Sequence, residues 1–259
     1  MSRKRAFAAI RVAGLHLSIS LVIVAVLAIL VFRVWYPHPL SLLLGTKEMF
    51  LILLCVDIVC GPFLTLIFFN PDKSRRARYI DIATVVSVQL FAVLYGMSVI
   101  FNARPVFVAL EGDRFRVVQA QDVFLANPEN NHQKNKLVGF FGPVYIGTRL
   151  IDSNDPEYLV SIRLALEGVH PSFRPERWEA LGNQKDHLLS VLKPISSLVN
   201  INVEQRGLLE ESIKASDLTS RQLGYLPLVA KDQTNWIQLV RKDTGEPISI
   251  LNIDGWASP

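Results

Sequence analysis

Asp57 lies near the middle of the apolar run "LILLCVDIVCGPFLTLIFFN", where insertion scales put the cost of a charged side chain at about 3 kcal/mol. Gly61 and Thr65 follow at four and eight residues, which places all three on one face of a helix. Small residues on such a face let a second helix approach closely. Pro62 lacks an N–H and clashes with the carbonyl of Ile58, so a kink and a freed acceptor stand beside the carboxylate. A later apolar run carries a matching stripe of Asp81, Val85, Gln89, Ala92 and Gly96. The chemistry open to this set is hydrogen bonding and charge acceptance inside a membrane. One reading is that Asp57 bonds to Gln89 and fixes how two helices dock. The other is that Asp57 receives a polar or cationic group from a separate membrane helix. Asp81, at the basic end of its run, can pair with Arg78.

Other chemistry is sparse. His132, His170 and His187 are isolated, and no cysteine lies in that part of the chain to complete a metal set. There is no nucleophile elbow, phosphate loop or dinucleotide fingerprint. "GFFGPVYIG" reads as a strand with a bulge. Glu176 and Glu179 flank Trp178 and hint at a carboxylate pair in a sugar site, but two glutamates one helical turn apart are ordinarily a solvated face. Trp178, Trp236 and Trp256 read as core or edge packing. The expectation is a protein that is not an enzyme and holds no metal or cofactor.

Half of the 259 residues are hydrophobic. The apolar residues concentrate in runs 15–35, 49–69 and 79–101, each about the 20 residues that cross a hydrocarbon core as helix. The first is too long for a signal-peptide core and continues into "RVWYPHP" rather than a cleavage site. It reads as retained, with Trp35 and Tyr36 at the interface and Arg33 snorkelling towards it. At 1.5 Å per residue, Asp57 lies about 12 Å below the outer end of its run and Gln89 about 15 Å above the inner end of the next. In a core of about 30 Å those depths coincide, given antiparallel neighbours. Cys55 and Cys60, five residues apart, point to different sides of a helix and are not expected to bridge.

Arg3, Lys4, Arg5 and Arg11 precede the first run, and Lys73, Arg75, Arg76 and Arg78 against Asp72 separate the second from the third. Between the first and second stand only Lys47 and Glu48, which cancel. This asymmetry predicts a cytoplasmic N-terminus and, after three crossings, an extracytoplasmic remainder. The first hundred residues hold 10 Lys and Arg against 4 Asp and Glu; the rest holds 17 against 19. The basic character thus belongs to the membrane part and argues against nucleic-acid binding.

The expected organisation is a basic cytoplasmic N-terminus over 1–14, three transmembrane α-helices over 15–101, and a soluble extracytoplasmic α+β domain over 102–259. That domain opens on a hairpin, "RPVFVALEGDRFRVV", followed by the polar loop "NPENNHQKNK". "DPEYLVSIRLALEG" reads as a helix with Asp155 as N-cap, Pro156 at its first position and Gly168 at its end. Residues 175–192 and 203–215 read as further helices. "GYLPLVAK", "NWIQLVRK" and "ISILNIDGW", the last two joined by the turn "DTGEP", read as strands. Strands, then helices, then strands give an α+β domain.

Five stretches in order, "VWYPHPL", "DIVCGPFLTLIFFNP", "DIATVVSVQLFAVLYG", "ARPVFV" and "TGEPISILNI", resemble the type IV pilin accessory proteins encoded beside pilin genes in some Gram-negative bacteria. The resemblance implies a non-enzymatic inner-membrane factor that acts with its cognate pilin and tunes pilus assembly or retraction. Its implied partners are the pilin helix in the inner membrane and other pilus assembly proteins. Asp57, Gly61, Pro62, Asp81, Gln89, Arg104 and Pro105 are the residues carried over, with Asp81, Arg104 and Pro105 in structural or topogenic roles. A groove along Gly61 and Thr65 would take the pilin helix, with Asp57 and Gln89 at its upper end. The family's C-terminal strand ends in Pro-Trp, where this chain has Gly255-Trp256. Two other classes stay open: an envelope sensor or receptor, with only a short basic loop as output, and a membrane-bound transferase acting on the pilin, which needs a carboxylate or histidine constellation near the outer surface.

Overall fold

Long apolar runs without internal water partners must satisfy their own backbone groups, and helices do this within one segment. Three spans, Phe7–Trp35, Thr46–Phe68 and Arg75–Asn102, are helical and are long and apolar enough to cross a membrane. The computed structural model describes residues 3–70, 72–125, 137–199, 201–231 and 233–256. Its contacts divide the chain into two units, Met1–Ala103 and Arg104–Pro259.

In the first unit, α1 (Arg3–Ile29) runs into a π-helical turn, Leu30–Trp35, and the short α2 (Leu40–Leu43) follows. The second span consists of α3 (Thr46–Cys55), a second π-helical turn (Val56–Cys60) and α4 (Gly61–Phe68). The third span is α5 (Arg75–Asn102), capped where the Ser74 side chain accepts from the Ala77 amide. Val24, Val31, Phe50, Leu53 and Ile100 form its core. Trp35 and Tyr36, expected at a lipid interface, are buried instead: the Trp35 ring packs 4.9 Å from Phe101, and the Tyr36 hydroxyl donates to the Ile100 carbonyl at 2.8 Å. Their apolar bodies find more contact against α5 than towards the surface, and the Tyr36 hydroxyl satisfies a carbonyl in the last turn of that helix. Cys55 and Cys60 are free thiols.

The second unit is a mixed sheet with helices. β1 (Pro105–Glu111) and β2 (Arg114–Gln119) form the opening hairpin, turned at Gly112 with φ +65°, a conformation that costs glycine nothing. β3 (Val144–Thr148) begins just after Pro143 and pairs parallel with β1. β4 (Trp178–Ala180), β5 (Lys193–Pro194), β6 (Leu223–Ala230), β7 (Gln233–Arg241) and β8 (Pro247–Leu251) complete the strands among the described residues, in the order β4-β3-β1-β2-β6-β7-β8, with β5 on β6. β2 and β6 run parallel, and β6, β7 and β8 form an antiparallel meander. Among the described residues the α-helices are α6 (Tyr158–Leu166), α7 (Lys185–Val191) and α8 (Val203–Ala215). An Asn202–Gln205 capping box starts α8, which lays Leu209 against Tyr225, Ile237, Leu239 and Leu251 of the meander.

The helix expected over 175–192 is only partly present. Its first half is a 3₁₀ turn and then β4, which pairs antiparallel with the end of β3 (Thr148 opposite Trp178), and only its second half is helical, as α7. Edge pairing and the tilted packing of Trp178 on Phe107, with centroids 4.5 Å apart, outweigh the weak local helix preference. Asp155 does not cap α6 directly; its carboxylate accepts from the Glu157 amide at 2.8 Å, one residue before the helix begins. Gly255 is tied down from above: a Cβ there would meet Ile237 at 2.6 Å and the Tyr225 ring at 3.2 Å. The meander thus closes against a residue with no side chain. The polar loop "NPENNHQKNK", with His132, lies outside the described residues.

Candidate functional site

The second span widens at Asp57. In a π-helical turn each carbonyl waits for the amide five residues on, and for Asp57 that residue is Pro62, which has no N–H. The expected freed acceptor was the carbonyl of Ile58; the wide turn shifts the register so that the Asp57 carbonyl needs an outside donor. Gln89 of α5 supplies it. Its Nε2 donates to the Asp57 carbonyl at 3.1 Å and to Asp57 Oδ1 at 3.0 Å. One amide group therefore serves a backbone and a side-chain acceptor of the same residue, and both side chains are buried.

Gly61 makes this approach possible. A Cβ on Gly61 would occupy the space of the Gln89 amide, so the residue after the π turn is small because a side chain from another helix lies there. Thr65, one turn further on, hydrogen-bonds His16 of α1 at 2.7 Å between Oγ1 and Nδ1. Ser20, buried one turn after His16, lies beside Asp57. The face formed by Asp57, Gly61 and Thr65 is thus closed from within the chain, by α5 on one side and α1 on the other. The groove expected along Gly61 and Thr65 is filled by Gln89 and His16, because small residues attract the nearest helices of the same chain first.

An open groove lies between α1 and α5, with a volume of about 400 Å³. Its lining includes Leu15, Ile19, Val86 and Leu90 together with the polar groups of His16, Ser20, Asp57 and Gln89. Gln89 Oε1 is buried and has no hydrogen-bond partner. The groove therefore combines apolar walls with the polar residues His16, Ser20, Asp57 and Gln89, and suits an apolar helix that carries a polar or positively charged group.

Residues 4–45 match the family profile described as "Fimbrial assembly protein FimB". A "Fimbrial assembly protein, serogroup I" from Dichelobacter nodosus is 30% identical over 244 residues, covering 94% of this chain and 95% of the relative. The chain belongs to the fimbrial assembly protein family. The serogroup E1 protein of the same organism is 29% identical over 244 residues, again 94% of this chain and 95% of the relative, and that of serogroups C1 and C2 is 38% identical over 125 residues, 48% of this chain and 95% of that relative. No solved structure matches. The resemblance drawn from the ordered motifs stands at the level of fimbrial assembly.

In this fimbrial assembly protein Asp81 does not pair with Arg78. Its carboxylate takes Lys73 at 2.5 Å, since a lysine in the loop before α5 is free of the helix's angular spacing and its long stem reaches along the first turns. Arg104 is buried and donates to the carbonyls of Val138 and Gly139 at 2.9 and 2.7 Å, fixing the segment before β3 to the start of β1 at Pro105. Glu176 binds Arg174 and Glu179 accepts from Gln184, so the two carboxylates flanking Trp178 face different partners. His16 and Ser20 were missed by the sequence reading. Their signal was available, two polar residues four apart, with Ser18 between them, in a largely apolar run, the spacing that shares a helix face.

Proposed function

We propose that this fimbrial assembly protein is an inner-membrane factor of pilus biogenesis that receives the helix of its cognate type IV pilin in the groove between α1 and α5. The observation that carries this reading is the pairing of Asp57 with Gln89 inside an apolar-walled groove, with Gln89 Oε1 left as an unmet acceptor. A single-helix subunit waiting in the membrane matches such a groove in shape, and a donor on it would complete the acceptor set. The relatives' names support a role in fimbrial assembly. The basic segments before the first span and between the second and third support a cytoplasmic N-terminus and a periplasmic Arg104–Pro259 unit. In this reading the protein works by binding, modulating assembly or retraction, without a catalytic step or cofactor.

The test is site-specific photo-crosslinking in native membranes of piliated cells. A photoreactive residue replacing Val86, on the groove wall, is expected to give a pilin adduct; one replacing Ile52, an exposed residue of α3 outside the groove lining, is not. No pilin adduct at Val86, or equal yields at both positions, would overturn the groove as the pilin site.

A further inference from the structure

A second built site lies wholly within the Arg104–Pro259 unit. A cleft of about 220 Å³ opens between α6 and the end of β3, and its lining includes Glu111, Thr148, Arg149, Ile162 and Arg177. Arg177 is only 2% exposed, yet its guanidinium meets neutral acceptors alone: the Arg149 carbonyl at 2.8 Å and Ser161 Oγ at 3.2 Å. Its Nε has no partner, and among the described residues no carboxylate forms an ion pair with it. The nearest candidates are spent elsewhere. Glu157 and Glu176 bind Arg174, while Glu111 is saturated by Arg116 and by the Ser172 amide and hydroxyl. Thr148, fully buried on the same lining, has an Oγ1 without a partner. A buried cation with no carboxylate in contact and a buried hydroxyl without a bond are both costly arrangements, and here both border one cleft.

The apolar side of the cleft is also half-built. Helix α6 buries none of its residues, and Ile162 and Ala165 line the opening beside Leu150. An apolar group seated there would cover surface that the fold leaves in water.

We propose that this cleft binds a carboxylate carried on a small apolar group, with the carboxylate on the Arg177 and Arg149 guanidinium groups, Thr148 Oγ1 donating to it, and the apolar part against α6. Guanidinium groups match the planar two-oxygen geometry of a carboxylate, and one anion satisfies both orphaned groups at once. The same chemistry is offered by the C-terminus of a peptide ending in an apolar residue and by a free branched-chain acid.

The experiment uses the full chain in detergent micelles, titrated with N-acetyl-leucine, 4-methylpentanoate and the neutral N-acetyl-leucinamide, with binding read by calorimetry. The acids are expected to bind and the amide to bind at least about tenfold more weakly, the loss of a charge-assisted contact. Tighter binding of N-acetyl-leucine than of 4-methylpentanoate assigns the site to a peptide terminus; equal or weaker binding assigns it to a free acid. Thr148→Val removes the hydroxyl at constant shape and is expected to keep the fold while weakening the acids about threefold or more; Arg149→Gln acts on the exposed cation and is expected to do the same. Failure of both acids to bind at about 10 mM, equal binding of acid and amide, or acid binding untouched in both variants would each overturn the proposal.

Discussion

Gln89 reaches Asp57 across two helices and binds it twice, at the backbone carbonyl (3.1 Å) and at the carboxylate (3.0 Å). The first bond replaces the amide that Pro62 lacks, and the second fixes the side chain beside the groove. Helix docking and charge presentation are therefore two uses of one contact, and substitutions can separate them.

Asp57→Asn keeps the carbonyl and a side-chain acceptor for Gln89 and removes only the charge. The expected outcome is an unchanged membrane level of the protein with an altered number of surface pili. Wild-type piliation with Asn would leave Asp57 as a helix-docking residue alone. Asp57→Leu also removes the side-chain acceptor, costs about 1 kcal/mol, and is expected to lower the protein level as well.

Gly61→Ala places a methyl where the Gln89 amide lies, whereas Gly14→Ala meets nothing within 4 Å. Overpacking of this kind costs about 1–3 kcal/mol. Thermal unfolding in detergent should show a clear loss for the first variant and none for the second. Equal stability of the two would mean that Gln89 is not seated against Gly61.

Glu111 gives the Arg104–Pro259 unit an acid-sensitive element. Burial alone would raise its pKa, but the Arg116 charge and the bonds from Ser172 and Arg116 outweigh it and hold the carboxyl below its ordinary 4.5. The folded state thus binds this proton less tightly than the unfolded chain. Its contribution to stability is complete above the unfolded value and is lost as pH falls through the lower folded one. Glu111→Gln should cost about 3 kcal/mol at neutral pH, by stranding buried Arg116. The gap from wild type should narrow below pH ~4.5. A constant gap from pH 7 to 3, in unfolding followed by tryptophan fluorescence, would exclude Glu111 as the acid-sensitive group.

Orientation is tested by reporter fusion. Alkaline phosphatase folds only outside the cytoplasm, so a fusion after Ala126 is expected to be active and one at Asp72 inactive. The reverse pattern would overturn the periplasmic assignment of the second unit.

Much of the architecture was legible in the residues themselves. Apolar length dictates three spans, because a helix is the cheapest way to satisfy a backbone in hydrocarbon. Alternating β-branched and aromatic residues around "EGD" dictate the β1–β2 hairpin, and the Asn202–Gln205 box announces α8. The pairing of Asp57 with Gln89 also followed from depth, since rise per residue is fixed in a helix. What sequence spacing does not carry is the rotation of one helix against another and the pairing of one strand with a distant one. Tertiary packing turned His16 and Ser20 towards Thr65 and Asp57, filled the face that small residues had made look open, and left the groove between α1 and α5 instead. It converted residues 178–180 to an edge strand against β3, and it set Arg177 and Thr148 beside one cleft although 29 residues separate them in the chain. Local propensity and period act over a few residues, whereas these arrangements are decided by which buried surfaces and unmet polar groups meet when the whole chain has packed.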